Sequence, residues 1–422
     1  MPPTEDTTAE TVKVRDVFGS RRLATLAGLG FGSGLPLGLT LFTLGFWMAD
    51  VGISLKTISA FSLVGLAYTF KFAWAPLLDR FALPWLGRRR GWILVFQLLL
   101  IGSIVVMGSI DPRAAPGAMA IAAAVTAFLS ASQDIVVDAH RADLLSPEER
   151  AAGTAAYVLG SRIASFLCVS VALVLADATN WHVVYCCAAA LMAIAVVACI
   201  FAEEPELVSQ PLPSFLEAWY RPIVGLLTLK RAAVIIAFAA LYKFGDGLAG
   251  VGWGKFTIDY LGFTKTEIGL FNKALTFAGT AVGTIAGVPL VTRLGLRRSL
   301  LAFGVAQGLT NLLYSALALT GKSYVMLGLS VFVDNAANAM AATALFVYLM
   351  SLTNKSVSAT QFALLTALAA LGRQAFGFMA GPMVEDWFGW AGFYAITGAI
   401  MVPALVLALF VPIFQPQPAA SR

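Results

Sequence analysis

Charge is what this sequence has least of: Asp, Glu, Lys and Arg make up 12 % of its 422 residues, against roughly 25 % in an average soluble domain. A chain so poor in charge, with 59 % hydrophobic residues and a mean hydropathy of +0.83, is excluded from the ordinary soluble class. Long polar stretches are also scarce. Apolar runs recur from Leu23 to Phe414, and runs of about 20 residues are long enough to cross a hydrocarbon core of about 30 Å as helices. Histidine occurs twice, and the four cysteines, Cys168, Cys186, Cys187 and Cys199, all lie inside apolar runs. That placement argues for small buried hydrophobes and excludes a disulfide framework or a metal site with familiar ligand spacing. No nucleophile–base pair or phosphate-binding loop is present, so an enzyme is not expected. Glycines 28, 30, 32, 34 and 38 follow no strand and read as close helix packing. Met1 to Arg22 holds no apolar h-region, so no cleaved signal peptide is expected.

The spacing of the apolar runs predicts an all-α membrane protein of twelve spans: 23 to 49, 57 to 78, 91 to 110, 117 to 140, 153 to 176, 182 to 201, 231 to 252, 267 to 291, 298 to 319, 324 to 351, 358 to 383 and 391 to 414. The net charge of +5 does not imply a nucleic-acid partner, because the basic residues sit in the breaks between spans. Most fall on the side of the chain termini, among them Arg21, Arg22, Arg80, Arg88 to Arg90, Arg141, Arg293 and Arg297, while the other side holds Lys56, Arg113, Lys255, Lys265 and Lys322. The positive-inside rule then places both termini in the cytoplasm.

The longest interior break, 202 to 230, carries Glu203-Glu204-Pro205, Pro211, Pro213 and Pro222 and divides the spans equally. It reads as a cytoplasmic linker between two six-helix bundles, 23 to 201 and 231 to 414, with tails 1 to 22 and 415 to 422. The two halves repeat. Phe31-Gly-Ser-Gly34 answers Phe244-Gly-Asp-Gly247, Leu55-Lys-Thr-Ile58 answers Thr264-Lys-Thr-Glu-Ile268, and Gly160-Ser-Arg162 answers Gly372-Arg373. The loop Asp79-Arg80 through Gly87-Arg-Arg-Arg90 answers Thr292-Arg293 through Gly295-Leu-Arg297-Arg298. Parallel six-span halves are a transporter signature.

Charges inside the spans each require a reason, since a charged residue at a helix centre costs about 2.5 to 3.5 kcal/mol on insertion scales. The stretch from Ser130 to Asp143 holds the densest group. Ser130, Asp134, Asp138 and Arg141 fall at i, i+4, i+8 and i+11 and share one helical stripe, which must face protein or water. Two close carboxylates in a low-dielectric setting suit proton uptake and release, with Asp134 the deepest and the His140 to Asp143 end part of a gate. The competing reading makes Lys71 a structural partner of Asp134.

Lys243 and Asp246 are i, i+3 and form a latent ion pair or a substrate clamp. Asp246 and Asp334 are further proton-coupling candidates, and the amides Asn335 and Asn338 suit ligands that both donate and accept. Arg162 and Arg373 stand at matching places in the two halves and can grip carboxylates. Lys71 and Lys273 share that ambiguity between substrate contact and helix packing. Asp79, Arg80, Arg141, Asp143 and Arg293 read as gating residues.

The loop after span 2 and its weaker copy after span 8 resemble the loop motif of the major facilitator superfamily. More narrowly, Gly30-Phe-Gly-Ser-Gly-Leu-Pro36, Phe70-Lys71-Phe72 with Trp74 and Pro76, Gly87-Arg-Arg-Arg-Gly-Trp92, Ser132-Gln-Asp134-Ile with Asp138-Ala, and Asn354-Lys-Ser with Ser358-Ala-Thr-Gln-Phe-Ala-Leu-Leu365 resemble the AmpG-type muropeptide permeases. The resemblance implies a bacterial inner-membrane importer of anhydromuropeptides, driven by the proton gradient without a cofactor. Its partners would be a small anionic or amphiphilic sugar-peptide and membrane lipid, with a monomer expected. Tyr68 and Tyr242 can stack sugar faces, against the competing reading that aromatic rings near span ends anchor the membrane interface. Other anionic solutes, such as a siderophore or an acyl-CoA, and a non-transporting assembly or sensor protein of the same fold remain alternatives on the sequence.

Overall fold

The computed structural model describes residues 21–81, 87–146, 149–205, 231–352 and 374–412, with isolated positions between them. The first half contains α1 (Arg21–Asp50), α2 (residues 55–80), α3 (Arg88–Ser109), α4 (Pro116–Leu144), α5 (Ala152–Ala178) and α6 (Trp181–Phe201). In the second half are α7 (Ala232–Ala249), α8 (Lys265–Leu294), α9 (Leu296–Thr320) and α10 (Tyr324–Ser351). The helical stretch Gln374–Phe410 follows, and Gly389, at φ 63°, separates α11 (residues 374–388) from α12 (residues 389–410). Ten helical stretches among the described residues are long and apolar enough to cross a membrane. These agree with the spacing of the apolar runs to within a few residues. The expected eleventh span lies largely outside the described residues, as do Arg373 and the Asn354 to Leu365 motif.

The ends of the helices are set by local chemistry. Ser54, Asn180 and Ser323 cap α2, α6 and α10 by accepting the backbone N–H three residues on. A Thr264–Glu267 capping box starts α8. The helix α2 is not continuous. It passes through 3₁₀ turns at Phe61–Gly65 and Lys71–Ala73, and Pro76, in the first turn of its last segment, lacks the N–H that would carry the ladder through. A second interruption falls at Lys243, between Ala232–Tyr242 and Phe244–Ala249.

The same packing pairs appear in both halves: α1 on α6 and α7 on α12, α3 on α6 and α9 on α12, α3 on α4 and α9 on α10, α2 on α4 and α8 on α10. The crossing of α1 and α5 is especially close. A Cβ at Gly30 would lie 2.1 Å from the Tyr157 carbonyl oxygen, and one at Gly160 would lie 1.9 Å from that of Ala27. Outward faces are apolar, as a lipid-facing surface requires: Phe277, Ile285, Leu319 and Val325 are 75 to 79 % exposed.

The buried apolar clusters are distributed unevenly along the bundle. At the end away from Arg21 and Phe410, one cluster joins the two halves, bringing Phe46, Trp47, Leu55 and Ile58 together with Phe256, Phe263, Met383 and Trp390. Towards the termini the clusters separate, with Leu29, Leu78, Phe96 and Val137 in the first half and Phe238, Tyr242, Leu300 and Tyr348 in the second. Among the described residues the halves are therefore sealed together at one end, and their cores part at the other.

Candidate functional site

The stripe on α4 forms as its spacing predicts, and α2 supplies its counter-charge. The break in α2 carries Lys71 to the α4 carboxylates, with Nζ 3.9 Å from Asp134 Oδ2 and 3.6 Å from Asp138 Oδ2. Arg141 donates to Asp138 Oδ1 at 3.1 Å, and its guanidinium lies 4.3 Å from the centre of the Tyr157 ring. The Asp138 side chain is 44 % exposed and that of Asp134 is 15 %, so the pair runs from a wet carboxylate to a nearly dry one. Asp134 Oδ1 has no hydrogen-bond partner among the described residues. Nearby, the Tyr68 hydroxyl is 3.4 Å from Thr40 Oγ1, and Trp74 Nε1 donates to Ser132 Oγ at 3.0 Å.

A second cluster stands in the other half, again beside a helix interruption. Lys243 Nζ donates to Asn338 Oδ1 at 3.0 Å and to Gln307 Oε1 at 3.3 Å, and it is 3.8 Å from Asp246. Asn338 Nδ2 in turn donates to Asp246 Oδ2. Asp334 accepts from Thr310 Oγ1 at 2.7 Å and from the Tyr314 hydroxyl at 3.2 Å, both on α9. In chemical terms each half thus holds acids, a lysine and polar hydrogen-bonding groups beside interrupted helix, the arrangement in which transporters bind ions and polar solutes.

Other candidates are placed differently. Asn335 donates to the Val331 carbonyl of its own helix and packs against Gly279, away from the Lys243 cluster. Tyr242 is 1 % exposed and donates to the Leu300 carbonyl at 2.8 Å inside the apolar core. Arg162, midway along α5, is exposed and forms no ion pair among the described residues. Arg373 lies outside the described residues, as do the side chains of Asp79 and Lys273. Arg80 and Arg293 are exposed at the helix ends, and Asp143 pairs with Arg89 at 2.9 Å within the first half. Neighbouring contacts also stay in that half: Arg22 pairs with Glu149 and Glu203, and Glu204 accepts the Arg89 and Arg90 backbone N–H groups at the start of α3.

At the opposite end, ion pairs cross between the halves. Lys56 Nζ is 2.7 Å from Asp386, and the Leu55 backbone N–H donates to Glu385 at 2.6 Å. Lys265 Nζ is 3.0 Å from Asp50 and 3.8 Å from Asp177, and Thr266 Oγ1 donates to Asp177 at 2.7 Å. Trp181 Nε1 also donates to Asp50 at 2.7 Å. On the sequence alone Lys56 and Lys265 are only basic residues of the outer side and members of the repeat, and their acidic partners carry no local signal. The signal that could have found them is the repeat itself, because Lys56 and Lys265 sit in the two matching motifs. The hydrogen-bonding partners Gln307, Thr310 and Tyr314 were missed because nothing in an apolar run marks which face an amide or hydroxyl will take.

The family model of the Major Facilitator Superfamily matches residues 26–254. The chain is 45 % identical over 395 residues to the anhydromuropeptide permease of Escherichia coli (strain K12), covering 93 % of this chain and 80 % of that protein. It is 31 % identical over 409 residues to a putative AmpG transporter of Rickettsia conorii, covering 94 % and 98 % of the two chains. Among solved structures, that of the nucleoside transporter NupG superposes with a TM-score of 0.71 at 17 % identity, covering 92 % of this chain and 98 % of that one. Motifs, helix pairing and these similarities agree: the chain belongs to the AmpG-type family of the major facilitator superfamily.

Proposed function

We propose that the protein is a secondary transporter that carries anhydromuropeptides into the cell, driven by the proton gradient and without a bound cofactor. The observation that carries the substrate is the 45 % identity, across 93 % of the chain, to a protein whose name is anhydromuropeptide permease. Orientation follows from the basic residues, which put both termini and the parted end of the bundle on the cytoplasmic side of a bacterial inner membrane. The sealed end then faces outward, so the conformation is inward-facing. Bundles 23 to 201 and 231 to 414 rock about the central region, joined by the cytoplasmic linker 202 to 230.

Geometry supports the coupling. Lys71 lies between Asp134 and Asp138, and Arg141 already serves Asp138. A proton taken up by one of these carboxylates releases Lys71 to face an anionic group of the substrate. Loss of that proton on the cytoplasmic side restores the ion pair and expels the group. Arg162, exposed midway along a spanning helix, supplies a second cation for a substrate carboxylate. The Lys243–Asp246–Asn338 cluster offers the other half of the site, and Asp334 a further proton acceptor.

Expression in bacteria that lack their own muropeptide permease tests the reading. Labelled anhydromuropeptide accumulates when the gradient is intact and fails to accumulate when an uncoupler removes it. Failure to accumulate with protein correctly inserted in the membrane contradicts it.

A further inference from the structure

Just inside the sealed end, between the halves, lies a cleft lined by α1, α2, the segment 250–254 and α11. Its walls include Phe42, Phe46, Phe61 and Trp253, and no charged side chain lines it among the described residues. Three polar side chains reach it, Thr40, Ser62 and Gln374, and two of them carry a buried atom with no hydrogen-bond partner among the described residues, Ser62 Oγ and Gln374 Oε1. Gln374 is 8 % exposed. A buried amide oxygen left without a donor costs about 1 to 3 kcal/mol, so such a pair between the moving halves calls for a ligand that donates.

The neighbouring backbone holds these groups in place. A Cβ at Gly65 would lie 2.5 Å from Gln374 Cγ, and one at Gly377 would lie 2.6 Å from Ser62 Oγ. Glycine at both positions lets α2 and α11 approach closely enough to set the two side chains at the cleft. The chain continues past it through Gly250-Val-Gly-Trp-Gly254, where Gly252 has φ +81°, a conformation other residues rarely adopt.

We infer that this cleft is the subsite for an uncharged N-acetylated sugar. The inference rests on the transport reading and divides the substrate by chemistry. Aromatic rings accept the apolar face of a pyranose, Gln374 Oε1 accepts an acetamido N–H, and Ser62 Oγ exchanges a hydrogen bond with a ring hydroxyl. The absence of charge directs carboxylates and ammonium groups elsewhere, to Lys71, Arg162 and the Lys243–Asp246 pair. The sugar end therefore points to the sealed face and the peptide end towards the charged clusters.

The test is equilibrium binding to the full chain in detergent, using two separate probes: the anhydro-disaccharide without peptide, its lactyl carboxyl capped as the neutral amide, and the free peptide. Gln374→Met keeps the side-chain length and removes the acceptor. It is expected to weaken disaccharide binding about five- to ten-fold, the loss of one good hydrogen bond, and to leave peptide binding unchanged. Ser62→Ala, which changes packing least, shifts the same probe in the same direction. The assignment is overturned if wild-type protein does not bind the disaccharide, if both variants bind it as wild type does, or if peptide binding falls in parallel. A wild-type protein that binds the disaccharide, loses it in the variants and yet accumulates no muropeptide in cells rejects the transport reading while upholding the subsite.

Discussion

Lys56 and Lys265 stand at the same point of the two repeats, and each crosses to the opposite half, Lys56 to Asp386 at 2.7 Å and Lys265 to Asp177 at 3.8 Å. Asp177 and Asp386, at the ends of α5 and α11, are as far apart in sequence as the two lysines. One contact has been made twice, once in each direction across the pseudo-twofold axis. Asp50 adds a second carboxylate to the Lys265 side, 3.0 Å away. That side should be the firmer of the two.

Removing this latch should shift the balance towards the outward-open form. Exposed ion pairs are individually weak, so Asp386→Asn should change the ratio of the two forms by no more than about five-fold. Lys265→Met, which removes the cation shared by Asp50 and Asp177, should change it more. Hydrogen exchange over residues 50–56 and 255–265 reads the effect, and the combination of Lys56→Asp with Asp386→Lys should restore slow exchange.

The latch should also be insensitive to moderate alkali. The hydrogen bond that Lys56 donates to the Asp386 carboxylate raises the Lys56 pKa above the ordinary lysine value. For a group raised in the folded state, the contribution is complete below the ordinary value and is lost as pH rises through the raised one. Protection at the outer end, taken as the exchange rate relative to that of the unfolded chain at the same pH, should therefore stay flat from about pH 7 to about pH 9, well below the ordinary lysine value of about 10.4. A steep loss of protection within that window would assign closure to another group.

The α1–α5 crossing should tolerate no side chain. Gly160→Ala places a Cβ against the Ala27 carbonyl oxygen, and backbone cannot move aside as a flexible side chain does. A loss of about 1 to 3 kcal/mol is expected, seen as a lower thermal midpoint in detergent. Gly102→Ala, with nothing within 4 Å of the new methyl, is the matched control and should be neutral or slightly stabilising.

Coupling and binding should separate at the α4 stripe. Asp134→Asn and Asp138→Asn keep size and hydrogen bonding but cannot carry a titrating charge. At least one of them should abolish gradient-driven accumulation while retaining exchange of substrate across the membrane at equal concentrations. Lys71→Met should impair both activities, because it removes the cation that acids and substrate share.

Much of this architecture was legible because a bilayer imposes a length on every helix. The apolar runs therefore marked α1, α3 to α10 and α12, and the period of 3.6 placed Ser130, Asp134, Asp138 and Arg141 on one face. The interior of α2 was not legible as broken helix. Its run from 57 to 78 looks continuous in hydropathy, and the 3₁₀ turn that carries Lys71 depends on Pro76 and on packing against α4. Partners across the bundle were harder still. Nothing local to Lys243 indicates Gln307 and Asn338, nor does Asp334 indicate Thr310 and Tyr314, because those contacts follow from how α7, α9 and α10 are rotated against one another. Tyr242 fits neither of its two sequence readings, a sugar-facing ring or an interface anchor, because its helix turns it onto the Leu300 carbonyl inside the core.

The central claim is proton-driven import of a sugar-peptide, and uptake into proteoliposomes measures it directly. Purified protein is reconstituted, a pH gradient is imposed, and labelled anhydromuropeptide is followed with and without an uncoupler. The account predicts accumulation above the external concentration that collapses with the gradient and is lost in Asp134→Asn or Asp138→Asn. Equal internal and external concentrations whatever the gradient, or no uptake by correctly inserted protein, would contradict it.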